Sequence, residues 1–205
     1  MPHHPISKNN PLVLASMSLR RKAILEQISI PFEAVGSMVE ETLLEGMQPA
    51  EIACRTALRK AQSVQHDRKS RWILGADTIV VMNKRIFGKP RDSRECHDML
   101  LHLRGRNHSV ITGFCIVDPR GETVHIQAVM TKVKIKPISE TEIEAYIKTH
   151  EPFGKAGGYA IQGIGSFMIE HISGSYTNVV GLPVCDVVSA LLACGGLRRF
   201  PLIEE

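Results

Sequence analysis

Apolar positions along this chain follow two patterns: short continuous runs of β-formers, and stripes recurring every three or four residues. Their alternation predicts an α/β fold. The first run, Leu12-Val-Leu-Ala15, ends at Ser16 and leads to a helix starting near Arg20, with Ser18 as N-cap and Ala23, Ile24 and Ile28 on one side. Ile30-Pro-Phe-Glu-Ala-Val35 is a second extended run. Pro49 opens a long helix carrying Ile52, Ala53, Thr56, Ala57 and Val64, which ends among the polar residues 66–70. Trp72 to Met82 is too apolar for an edge and predicts a buried central strand, followed by a turn at Asn83-Lys84. Asp92 with Glu95 predicts a capped helix through Met99 and Leu103 that Gly105 ends. Two long strands, His108–Val117 and Thr123–Ile135, follow around a turn at Pro119-Arg-Gly121. Ser139 with Glu142 predicts another capped helix carrying Ile143 and Ile147, closed at Glu151-Pro152. A glycine-rich segment, Gly154 to Gly165, precedes a last helix from about Pro183 to Cys194.

Composition narrows the classes. The 205 residues are 43% hydrophobic, enough for one large domain or two small lobes. Residues 1–10 read as a disordered tail and residues 11–205 as one domain. The net charge of +4 is modest, basic residues form only short runs, and aromatics make up 5%, which argues against a nucleic-acid surface. A small anionic substrate fits this balance better. No segment approaches the roughly 18 to 20 apolar residues of a membrane span, and residues 1–10 lack the apolar stretch of a secretory signal. The five cysteines are odd in number and contain no Cys-x-x-Cys pair, so reduced thiols in a cytoplasmic protein are expected rather than a disulfide framework or a zinc site.

Four places stand out chemically. At Ser16-Met-Ser-Leu-Arg-Arg21 a strand runs into two hydroxyls and a helix N-terminus. Backbone N–H groups there attract anions, and arginines in a first helical turn oppose the helix dipole unless something negative lies close. Asp77, with Thr78 beside it, interrupts an apolar strand, where a carboxylate loses hydration and needs a cation, hydrogen bonds or a water held for reaction. Lys89, between Gly88 and Pro90 one short hairpin later, places a fixed positive charge where a phosphate or this acid could meet it. Glu40-Glu41 supplies hard oxygen ligands of the kind Mg²⁺ or Mn²⁺ takes when it also rides on phosphates. In the glycine-rich segment, Gln162 carries an amide able both to donate and to accept toward a base edge. The Walker and dinucleotide-binding glycine patterns are absent.

Leu14-Ala-Ser-Met-Ser-Leu-Arg-Arg21, Gly75-Ala-Asp-Thr78, Gly88-Lys-Pro90, Ala156-Gly-Gly-Tyr-Ala-Ile-Gln-Gly163 and Val180-Gly-Leu-Pro183 occur in this order. With these five motifs the chain resembles the Maf family, from Leu12 to Leu192. The resemblance implies an elongated mixed-sheet α/β fold with two lobes around a central cleft, like the inosine triphosphate pyrophosphatases, and a homodimer. It implies hydrolysis of a nucleoside triphosphate to the monophosphate and pyrophosphate, aided by Mg²⁺ or Mn²⁺. By position, Ser16, Arg20 and Arg21 match phosphate-binding residues, Lys60 and Lys89 match catalytic lysines, Asp77 matches the proton acceptor, and Glu41 matches the metal-linked acid. Lys60 is singled out by the resemblance alone. Gly75-Ala-Asp-Thr78 together with Ile161-Gln-Gly163 matches the branch acting on dTTP and UTP, with Arg20, Thr78 and Gln162 at the positions tied to that choice. Two departures occur: Leu19 stands where the family has proline, loosening the helix start, and Gly158 stands where it has alanine, adding flexibility. A regulatory role in cell division, long associated with the family, is the alternative, with nucleotide occupancy signalling to a partner.

Overall fold

The computed structural model describes residues 4–37, 39 and 46–202. Seven strands form one mixed sheet in the order β2-β1-β3-β5-β6-β7, with β4 paired to β3. They are β1 (Leu12–Leu14), β2 (Phe32–Ala34), β3 (Ile73–Met82), β4 (Arg85–Phe87), β5 (Asn107–Val117), β6 (Thr123–Ile135) and β7 (Ile169–Ser173). The helices are α1 (Leu19–Gln27), α2 (Pro49–Gln65), α3 (Ser93–Leu103), α4 (Glu140–Lys148), α5 (Tyr176–Val180) and α6 (Val184–Ala193). Among the described residues no helix is long and apolar enough to cross a membrane. The chain divides into two compact units, the first comprising Met1–Asp77, Thr112–Val129 and Gly181–Glu205, the second Thr78–Ile111 and Met130–Val180.

In the first unit, β1 is fully buried and runs parallel to both β2 and β3, as expected of a short all-apolar strand. One core cluster joins Val13, Ala15 and Ile73 to the apolar stripe of α2 and to Cys115 and Val117 of β5. That stripe is Ala53, Ala57, Ala61 and Val64, and Lys60 lies within it. Small residues on both sides let α2 settle close to the sheet. A Cβ at Gly75 would stand 2.2 Å from the Ala57 carbonyl oxygen, and one at Gly113 would stand 2.3 Å from the Ala53 carbonyl carbon.

Residues 4–10 differ from the loose tail expected of them. Ile6 is buried and its N–H donates to the Gly196 carbonyl at 2.8 Å, while Trp72 Nε1 donates to the His4 carbonyl at 3.0 Å. One apolar side chain and a buried indole needing an acceptor are enough to dock a segment that has no periodicity of its own.

In the second unit, α3 and α4 pack with β3–β7 residues around Phe87, Leu100, Ile143 and Tyr146. Asn83 and Lys84 both adopt left-handed backbone (φ 51° and 67°) in the tight β3–β4 hairpin. Asp92 accepts from Glu95 N at the start of α3, and α4 begins with a full capping box between Ser139 and Glu142. Strand β7 and helix α5 carry no periodic signal. β7 pairs with the end of β6 across a register shift at Lys134/Ile135, and α5 is held by Asn178, whose Nδ2 donates to Val110 O (3.1 Å) and Thr131 Oγ1 (3.0 Å).

His108 on β5 is buried with its Nε2 2.6 Å from the Tyr159 hydroxyl, and its Nδ1 has no partner among the described residues. Burial pushes its pKa down to about 4. An unfolded histidine titrates near 6.5, so between these values the unfolded chain binds the extra proton and the folded chain does not. Stability present at neutral pH is therefore expected to fall as pH drops from about 6.5 to 4, by at most about 3 kcal/mol from this group. Denaturant midpoints measured across that window for the native protein and His108→Gln check it: the native curve should fall more steeply. Parallel curves would rule the effect out.

Candidate active site

The strand β1 ends at Ser16, and the chain turns directly into α1. Ser18 occupies the N-cap position, but its side chain makes no capping bond. The Ser16 hydroxyl does that work, accepting from Ser18 N at 3.3 Å and from Arg21 Nη1 at 3.0 Å. Arg21 Nε donates to the Gly181 carbonyl at 2.8 Å. The buried face of α1 therefore passes through Arg21, Ile24 and Leu25, whereas Ala23 is exposed. A guanidinium, not an alanine, points inward, and it locks the strand-to-helix turn to the Val180-Gly-Leu-Pro183 segment. Arg20, next to it, is half-buried.

Lys60 on α2 and Asp77 on β3 form a second buried polar contact. Lys60 Nζ donates to Asp77 Oδ1 at 2.7 Å, with the two residues 8% and 5% exposed. The register follows from the helix and strand periods: Gly75 faces Ala57, so Asp77, two residues along the strand, faces Lys60, three residues along the helix. Asp77 Oδ2 accepts no hydrogen bond among the described residues. The sequence pattern pointed to Lys89 as the cation for Asp77. The lysine that reaches it is Lys60, because the close approach of α2 brings a buried helix position over the strand. Ser16 and Arg21, like Lys60 and Asp77, are buried polar residues of the first unit.

The remaining candidates belong to the second unit. Lys89 is exposed in the turn after β4, and Gly88 O accepts from Gly157 N at 2.9 Å, tying that turn to the glycine-rich segment. Thr78 is half-buried on β3, and Gln162 is exposed. Gly157 and Gly158 are both buried with left-handed φ of 73° and 68°, so the glycine pair forms a tight bend where looseness was expected. Glu40 and Glu41 lie outside the described residues. Among the described residues no group of three or more His, Cys, Asp or Glu could hold a metal ion.

The family model for Maf-like protein matches residues 11–194. The chain belongs to the Maf family. Its Maf relatives match over nearly their whole length. A dTTP/UTP pyrophosphatase of Syntrophotalea carbinolica is 46% identical over 198 residues, covering 96% of this chain and 90% of that protein. One of Geotalea uraniireducens is 46% identical over 94% of this chain and 98% of its own, and one of Clostridioides difficile is 43% identical over 84% and 89%. Among solved structures, the Ham1 protein of Staphylococcus aureus superposes with a TM-score of 0.44 at 15% identity, covering 78% of this chain and 80% of its own.

Lys60 had a signal in the sequence that residue type alone hides. It falls at the helical spacing of Ala53, Ala57 and Val64, so the apolar stripe of α2 has one charge in it. The partners of Arg21 had none, since Gly181 is 160 positions away in the chain.

Proposed function

We propose that this protein is a nucleoside triphosphate pyrophosphatase that hydrolyses dTTP and UTP, and modified pyrimidine triphosphates, to the monophosphate and pyrophosphate. Such an activity limits the entry of unwanted nucleotides into nucleic acid. The buried Lys60–Asp77 pair, with one carboxylate oxygen engaged at 2.7 Å and the other accepting no hydrogen bond among the described residues, carries this reading. The names of the 43–46% identical relatives cited above support the substrate choice.

Cleavage between the α and β phosphates needs a water behind the α phosphorus, a base for its proton, and cations for the charge that grows on the leaving pyrophosphate. Asp77 Oδ2 takes the proton from the water while Lys60 holds Oδ1 and fixes the carboxylate's rotamer. Ser16, Arg20 and Arg21 bind phosphate oxygens at the N-terminus of α1, where the helix dipole adds to the arginine charge. Lys89 supplies a further cation for phosphate charge, in a turn stiffened by Pro90 and by the bond to Gly157. Thr78 and Gln162, with Arg20, select the pyrimidine base. An amide matches the edge of uracil or thymine, which offers both acceptors and a donor.

A divalent cation, Mg²⁺ or Mn²⁺, belongs to the same proposal, with Glu41 as its protein ligand. A hard cation of this type takes one or two carboxylates and completes its shell with substrate phosphates and water, so it does not require a three-residue cluster. Bound there, it would neutralise charge on the phosphate oxygens. A cytoplasmic location suits the five free thiols, and the homodimer implied by the resemblance is tested by sedimentation.

A panel of nucleoside triphosphates with purified protein should show pyrophosphate release from dTTP and UTP well above that from purine nucleotides. EDTA should abolish it, and added Mg²⁺ or Mn²⁺ should restore it. Turnover of no triphosphate would overturn the proposal. Binding of dTTP without turnover would favour the regulatory role.

A further inference from the structure

Gln162 is exposed, yet the backbone on both sides of it is tied down by one buried-facing network. Glu151, just past α4, accepts through Oε1 from Ile164 N at 2.9 Å, and through Oε2 from Gly165 N at 2.7 Å and the Tyr146 hydroxyl at 2.8 Å. The Tyr146 hydroxyl in turn accepts from Ala160 N at 3.2 Å. Two residues before Gln162 and two residues after it, the chain is therefore bonded to a single Glu151–Tyr146 pair. Gly163 sits between with φ 75°, and a Cβ there would lie 2.2 Å from Glu151 Oε1, so the loop closes directly over the carboxylate. Three donors converge on two oxygens, which only an ionised carboxylate can satisfy.

We propose that Glu151, with Tyr146, is a positioning residue for base selection: it presents Gln162 to the nucleotide base in a fixed geometry without touching substrate. This rests on the assignment of Gln162 to base selection above. The physical reason is preorganisation. A loop whose residues 160–165 were free would have to lose that backbone freedom each time a base bound, and the loss would come out of the differential affinity that separates pyrimidines from purines. Phosphate handling is assigned to other residues, so the chemical step should be spared. The signature is a split between KM and kcat rather than a general loss.

Glu151→Gln removes one acceptor oxygen and places an NH₂ against Gly165 N–H. Tyr146→Phe removes only the hydroxyl, and keeps the ring packed in the core. For either variant, KM for dTTP should rise about tenfold with kcat within about threefold, and the kcat/KM preference for dTTP over dGTP should fall about tenfold. Hydrogen exchange should quicken at Gly165 in Glu151→Gln and at Ala160 in Tyr146→Phe, with thermal midpoints recorded to confirm folding. Gln162→Ala, run beside them, separates the two levels. If it loses the pyrimidine preference while both network variants keep theirs, the positioning role is overturned and the assignment of Gln162 stands. If Gln162→Ala itself keeps the preference, the assignment of Gln162 fails and the positioning role fails with it. Unchanged exchange at Ala160 and Gly165 in both variants would also overturn the positioning role.

Discussion

Asp77→Asn is expected to lower kcat on dTTP by about a hundredfold to ten-thousandfold, the range supplied by a positioned general base. Asparagine is the informative replacement because its side-chain oxygen can still accept from Lys60, at the place where Oδ1 now lies 2.7 Å from Nζ. The lysine then keeps this partner, and the space of the buried pair stays filled. What disappears is the ability of the second oxygen to take a proton. Alanine would confound the result, since removing the carboxylate from a buried ion pair costs about 3 to 5 kcal/mol and could loosen α2. The check is kcat measured beside a denaturant midpoint. Full turnover in a folded Asp77→Asn protein would remove the assigned base, whereas loss of turnover with an unchanged midpoint is the expected result.

Gly75→Ala and Gly113→Ala are expected to destabilise the protein by about 3 kcal/mol each, at the upper end of what overpacking costs. The added methyl at Gly75 would meet the Ala57 carbonyl oxygen at 2.2 Å, and that at Gly113 would meet Ala53 backbone at 2.3 Å and Cys54 N at 2.4 Å. In both cases the obstacle is helix backbone, which cannot swing aside as a side-chain tip could. Relief requires α2 to lift from the sheet. Lys60 rides on that helix, three residues past Ala57, so turnover should fall along with stability even where the variant still folds. Equilibrium unfolding in urea together with kcat on dTTP tests both parts. A midpoint and a kcat both equal to the native values would show that α2 does not pack as described.

The element pattern was largely legible in the sequence wherever local chemistry and burial agree. Pro49 opens α2, Ser139 and Glu142 form the capping box of α4, and Asn83-Lys84 makes the β3–β4 hairpin, each for a reason contained within a few residues. Strand β7 was not legible because its sequence, Ile-Glu-His-Ile-Ser, lacks clean alternation and is defined by pairing with β6. The segment 4–10 was misread because its order comes from Gly196 and Trp72, far along the chain. For the site, residue type singles out Ser16, Arg21 and Asp77 as unusual polar groups, and each is buried and hydrogen-bonded in the fold. The same criterion chose Lys89 over Lys60 as the partner of Asp77. A lysine on a helix is most often solvated, and only the approach of α2 at two glycines makes this one buried.

Taken by itself, the amino-acid sequence determined the α/β class, most element boundaries, membership of the Maf family through ordered motifs, and which side chains are chemically out of place. These depend on interactions a few residues long or on residue identity. Tertiary structure decided which of those side chains meet: Lys60 with Asp77, Arg21 with Gly181, and the bonded Glu151–Tyr146 pair with the two flanks of Gln162. Such pairings depend on how closely a helix can approach a sheet and on where a loop closes, and those distances are set by glycine positions and packing across the fold, which no local pattern encodes.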